Sequence, residues 1–183
     1  MTFFFRCSFI LLIFLLSGCS GISKYDDQEP AAIVKGQEIT IGDLRFLYPD
    51  ETALDYLDGT IKLELVKQKV QEMGLDITGN LETDPDWFAE LPPKNTKDEG
   101  GRQIRDFAES QAKKLHMDPE EYQKEYARRI NELNAHLITF LEEELDGYQF
   151  GDEKMNEEAN QILEELVEEN KEEINVLIKR TVR

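Results

Sequence analysis

The chain has 183 residues, with 39 acidic against 21 basic side chains, a formal charge of −18, and two cysteines. Such an acidic chain repels nucleic acid and anionic lipid head groups, so neither is an expected partner. The length suits one domain once the greasy N-terminus is set aside.

That N-terminus carries one charged side chain, Arg6, then an apolar run from Phe9 to Leu16. The run is shorter than the about 20 residues a membrane-spanning helix needs. It reads instead as a secretory signal with a small-residue exit. Leu16-Ser17-Gly18-Cys19 resembles the bacterial lipoprotein cleavage box at every position. The resemblance implies removal of residues 1–18 and a diacylglycerol on Cys19, with palmitate-type acyl chains as the anchor. Cleavage leaves 165 residues with a formal charge of −19, because Arg6 is the one charged side chain removed. Cys7 leaves with the signal and Cys19 is blocked, so no thiol remains for a disulfide, a metal or a nucleophile. Two acyl chains give stable anchoring where one gives marginal binding, so lipid and not charge holds the domain at the membrane.

Residues 19–30 read as a polar tether. Ala31 to Ile41 reads as a hairpin, with a turn at Gly36-Gln37-Glu38 between two β-prone runs. Thr40 and Asp43 stand at capping distance and open a short helix that Pro49 closes. A second helix is expected over Glu51 to Met73, with Leu54, Leu57, Ile61, Leu65, Val66, Val70 and Met73 as its apolar stripe. Gly74 follows as a left-handed terminator. Residues 79–101 break the pattern with prolines and glycines and read as a loop insertion. Trp87 and Phe88 are the bulky aromatic residues of that loop. They either plug it onto the core or form an exposed patch, and they are the candidate partner contacts.

A helix is expected over Arg102 to His116. Asp118-Pro119 then restarts a helix that runs to about Leu145 before Gly147. The last helix starts at Asp152 or Glu153, with its glutamate run as a solvated face. Asn170 suits its end. Ile174 to Lys179 can continue the helix or form a strand; its alternation, and the need of a lone hairpin for a third strand, favour pairing with Ala32 to Ile41. The expected fold is therefore mainly α, one helical domain over residues 31–183, with a small β-hairpin near the mature N-terminus joined by a C-terminal strand.

Catalytic chemistry has few candidates. His116 and His136 have no second histidine or cysteine at metal spacing, so no metal site is expected. No nucleophile elbow, phosphate-binding glycine loop or EF-hand pattern occurs, and paired carboxylates are too common to mark a site. The reading is a non-enzyme without a cofactor.

Residues Ala31 to Thr40 resemble the opening hairpin of SurA-type periplasmic chaperones and PrsA-type foldase lipoproteins. The helix end Glu72-Met73-Gly74-Leu75-Asp76-Ile77-Thr78 is similar to the helix exit of that family, and the Asp118-Pro119 restart also fits. The chain has no room or motif for the parvulin isomerase domain that such proteins often carry. The resemblance implies a SurA-like chaperone or peptide-binding module on the extracytoplasmic face of a bacterial membrane, without isomerase activity. Its partners would be unfolded or secreted polypeptides. The alternative is a structural or regulatory lipoprotein that binds one fixed envelope or sporulation partner.

Overall fold

The structure is a computed structural model and describes residues 21–81, 86–145, 147 and 153–178. Cys19 and the rest of the lipoprotein box lie outside the described residues.

Strand β1 (Pro30–Val34) and strand β2 (Gln37–Thr40) form the expected antiparallel hairpin. Its turn falls one to two residues earlier than composition suggested, at Lys35 and Gly36. Both have positive φ, 48° and 83°, which is what a primed two-residue hairpin turn requires. Strand β3 (Ile174–Val176) pairs antiparallel with the other side of β1, giving the order β2-β1-β3. The ends of the described chain thus meet in one sheet, as the alternation of Ile174, Val176 and Ile178 predicted. The strand is shorter than expected and stops at Val176.

Thr40 caps helix α1 (Ile41–Leu47) through a reciprocal capping box with Asp43. A 3-10 turn at Ala53–Tyr56 leads into helix α2 (Leu57–Met73), so the α-helix begins later than its apolar stripe. Gly74 ends α2 in the left-handed conformation, with φ 67°. The stripe from Leu57 to Val70 is buried, whereas Met73 is exposed. Within the expected loop, Asp86–Ala89 forms a single helical turn, α3. Helix α4 (Glu99–Leu115) starts earlier than the glycines suggested. The Asp98 side chain accepts from the Gly101 amide, which draws Gly100 and Gly101 into its first turn. His116 is the left-handed residue that ends it.

Helix α5 (Pro119–Glu144) begins as expected, with Asp118 capping the amides of Glu120 and Glu121. At 1.5 Å per residue it is about 39 Å long. Helix α6 (Glu153–Glu169) ends before Asn170, and most of its glutamates are exposed.

Two apolar clusters result. The first gathers Ala32, Val34, Ile41, Leu44, Leu57, Leu65 and Val66 with Phe140, Leu141 and Leu166. The second gathers Phe46, Leu47, Ala108, Ala112 and Tyr122. Helices α1 and α5 contribute to both, so they bind the two clusters into one body. Within the second cluster the Tyr122 ring lies 5.1 Å from Phe46 and its hydroxyl donates to the Phe46 carbonyl at 2.8 Å. Burial pushes the Tyr122 hydroxyl well above its usual range. Gln111 is buried and donates to the Arg45 and Tyr48 carbonyls, at 2.8 and 3.0 Å. It thereby satisfies acceptors at the end of α1 that the helix itself leaves open.

The expected tether is only partly a tether. Ile22 is fully buried, and its amide donates to the Asp50 carbonyl at 2.9 Å. The Arg45 guanidinium donates to the Ile22 and Tyr25 carbonyls and pairs with Asp27 and Asp50. Ile41 and Gly42 donate to the Glu29 and Asp27 carbonyls, both at 2.9 Å. Residues 21–29 are strapped onto the domain by these bonds, which polar composition does not reveal.

The ladder register can be tested directly. Lys35 donates to Glu173 and Leu177 donates to Ala31, so the Asn175 main chain faces β1 and that of Val176 faces solvent. Asn175→Pro should cost about 1–3 kcal/mol in chemical denaturation, because it orphans an inner acceptor. Val176→Pro should cost less. The reverse order would contradict the register.

Candidate binding cleft

Between the open side of β2 and helices α1, α2 and α5 lies a cleft of about 280 Å³. Its floor is apolar, made of Ile39 from β2, Leu47 and Tyr48 from the end of α1, Leu63 from α2 and Leu133 from α5. Its rim is charged. Glu38, Asp43, Glu64 and Glu132 supply four carboxylates, against Lys67 and Arg129 as cations.

Each wall is positioned by local chemistry. Asp43 is held by the capping box, accepting from the Thr40 amide at 2.9 Å. Glu64 accepts from Gln68 at 2.9 Å, and Gln68 in turn donates to the Val34 carbonyl at 3.0 Å. This ties α2 to the middle of the sheet. The Arg129 guanidinium lies 3.9 Å over the Phe46 ring and donates to Glu125 at 2.8 Å. Glu125 also receives Arg128, and these two guanidinium bonds, Arg128 first, hold its carboxyl down to about 2. His136 is buried at the cleft wall, and its Nδ1 donates to the Glu132 carbonyl one turn back, at 2.8 Å. That bond places the proton on Nδ1 and leaves Nε2 as the other face of the ring.

Among the described residues no further strand pairs with the sheet edge bordering the cleft. Val34 and Gln37 close the hairpin as a bonded pair, as do Ala32 and Ile39, and Ile33 serves β3. Alternation therefore turns the Glu38 N–H and C=O away from β1 and toward the cleft side. Among the described residues Glu38 has no ion-pair partner, and both Gln37 and Glu38 are exposed.

Of the two candidate aromatic contacts, Phe88 lies elsewhere. Phe88 is half-buried, with its ring 6.1 Å from Tyr126, and its carbonyl accepts from Gln123 at 2.6 Å. It lines a smaller apolar cup with Ile104, Phe107 and Tyr126, which does not share a residue with the cleft. Trp87 belongs to α3 by its backbone, and its side chain lies outside the described residues. Phe88 therefore lies apart from the cleft. Sequence reasoning missed the cleft, because its walls come from residues 37–48, 60–67 and 129–136, each of which reads separately as an ordinary amphipathic element.

Among the described residues no group of three histidine, cysteine, aspartate or glutamate side chains is placed to hold a metal. Among the described residues no helix is long and apolar enough to cross a membrane. What the cleft offers is an apolar trough, an acidic rim and one open backbone edge.

The low carboxyl range of Glu125, which anchors the cleft residue Arg129, gives this part of α5 an acid limit. Its folded value, about 2, lies below its ordinary value of 4.5. The stabilisation is therefore complete above about pH 4.5 and is lost as the pH falls toward 2. Glu125→Gln should lower stability near neutral pH, by no more than about 1 kcal/mol because the pair is partly solvated, leave it unchanged near pH 2, and so flatten this part of the acid-unfolding profile followed by circular dichroism. An unchanged profile would remove Glu125 from the acid response.

No family model matches this chain, and no curated protein or solved structure matches it.

Proposed function

We propose that this chain is an extracytoplasmic lipoprotein, held on a bacterial membrane by the lipid on Cys19, whose domain binds segments of unfolded or secreted polypeptides in the manner of a SurA-type chaperone domain, without isomerase activity. The observation that carries the reading is the cleft, where an apolar floor is left open beside an unpaired strand edge. Such a surface takes polypeptide by side-chain burial and main-chain pairing rather than by recognition of one small molecule. The hairpin that carries the resemblance to SurA-type domains is formed, with β3 closing its other side, and this supports the same reading.

A second reading is favoured by the strapped N-terminal segment. With residues 21–29 fixed on the domain, an acylated Cys19 has only Ser20 as spacer. A domain held that close to the bilayer presents itself in a narrow range of orientations. That suits a structural or regulatory lipoprotein with one fixed envelope partner.

The two readings separate on clients. The non-acylated mature domain should slow aggregation of several unrelated denatured proteins at near-equimolar ratio. Leu63→Gln with Leu133→Gln should weaken this at least about fivefold at unchanged circular dichroism, since each loses apolar burial at the floor. Trp87→Ala with Phe88→Ala tests the loop as the contact instead, and should leave the activity nearly intact. Failure to protect any client, together with capture of one envelope protein, would favour the fixed-partner reading. The anchor has its own check. Cys19→Ala should release the protein from the membrane fraction or leave the precursor uncleaved, and normal maturation and membrane fractionation would contradict the lipid anchor.

A further inference from the structure

We propose that the occupant of the cleft is an extended segment rich in basic and apolar residues, which adds to the sheet as a fourth strand on the Glu38 edge of β2. This rests on the reading of the cleft as a polypeptide-binding site and names the chemistry of what it takes.

Three observations converge on it. The first is the register. The Glu38 N–H and C=O point outward from the hairpin, so an added strand finds one donor and one acceptor already in strand geometry. The Thr40 amide is taken by the Asp43 carboxylate, which ends the open edge at α1. Pairing is therefore limited to a short segment centred on Glu38, and the remaining affinity must come from side chains.

The second is the floor. Alternate side chains of an extended segment point the same way, about 6.4–6.8 Å apart. A strand lying on the Glu38 edge would send every second side chain toward the apolar lining at Leu63 and Leu133. At about 280 Å³ the cleft is smaller than a typical small-molecule pocket and suits one or two aliphatic side chains.

The third is charge. The four carboxylates of the rim exceed its two cations, and both cations are engaged. Lys67 lies 3.6 Å from Glu64, and Arg129 is stacked on Phe46 and bonded to Glu125. The whole chain carries −18. Glu64 pairs with Lys67, Glu132 with Arg128, and Asp43 is held in the capping box, so Glu38 is the rim carboxylate left open to a lysine or arginine side chain, and an acidic segment would meet like charge there.

The test uses the non-acylated mature chain and labelled peptides of about eight residues. One alternates lysine with valine, one alternates glutamate with valine, and a third is the lysine peptide N-methylated at alternate positions. Fluorescence anisotropy at low salt should show the lysine peptide binding at least about tenfold more tightly than the glutamate peptide, with the gap narrowing as salt screens the rim. N-methylation should weaken binding at least about tenfold by removing main-chain donors, with no change to the protein. Glu38→Gln should weaken the lysine peptide a few-fold and reduce its salt dependence. Glu38→Pro, which deletes only an outward donor of the ladder, should weaken it further. Equal binding of the glutamate peptide, or of the N-methylated peptide, would overturn the proposal. So would a concentration-dependent dimer in sedimentation that excludes the peptide, because the cleft would then hold a second copy of the chain. If these peptides fail while the domain still protects denatured clients, the strand-addition proposal falls alone. If client protection is absent as well, the chaperone reading falls with it.

Discussion

The fold depends on strand β1 having partners on both sides. Ala31, Ala32 and Val34 are fully buried, and a buried strand cannot leave its amides and carbonyls open. β2 satisfies one side at the cost of a two-residue turn. The other side must wait for β3, which follows helices α1 to α6 in the chain. Closing so long a loop costs more entropy than a local turn, although the cost grows slowly with length. The return is a three-stranded sheet where a lone hairpin would be marginal. The small alanines of β1 let α2 pack close, and Gln68 reaches the Val34 carbonyl from it.

The same arrangement leaves β2 as an edge. α1 springs directly from Thr40 and sends Ile41 and Leu44 to one apolar cluster and Phe46 and Leu47 to the other. α5 runs past both clusters. The wedge between the β2 edge, the end of α1 and the facing sides of α2 and α5 remains open as the cleft. Exposed strand edges are usually blunted by charge, brevity or a covering element. Here the edge is only four residues long and carries the exposed Glu38, a charge that discourages indiscriminate pairing. The β3 edge is shorter still, although Val176 and Leu177 are exposed on it.

Much of this organisation was legible in the residues where one local interaction decides the outcome. Thr40 with Asp43, Gly74, and Asp118 with Pro119 each mark a helix end by a cap whose donors and acceptors lie within a few residues. The strand at Ile174 could be inferred because a hairpin needs a third strand. Elements set by distant partners were less readable. Gly100 and Gly101 look like loop residues until Asp98 is seen to cap α4 over them. Residues 22–29 look like a spacer until Arg45 gathers their carbonyls. Of the cleft nothing was visible, because Glu38, Leu63, Leu133 and His136 converge only through sheet closure and helix packing. Trp87 and Phe88 were conspicuous for size, and of the two the Phe88 ring packs toward Tyr126, 6.1 Å between centroids.

The central claim is that polypeptide engages the β2 side of the cleft. Amide hydrogen exchange of the mature domain, measured alone and with an excess of a permanently unfolded client, tests it most directly. The account predicts slowed exchange at Glu38 and along the α2 and α5 segments around Leu63 and Leu133, with β3 and α3 unchanged. Protection confined to α3, or to Val176 and Leu177 on the opposite edge, would contradict it.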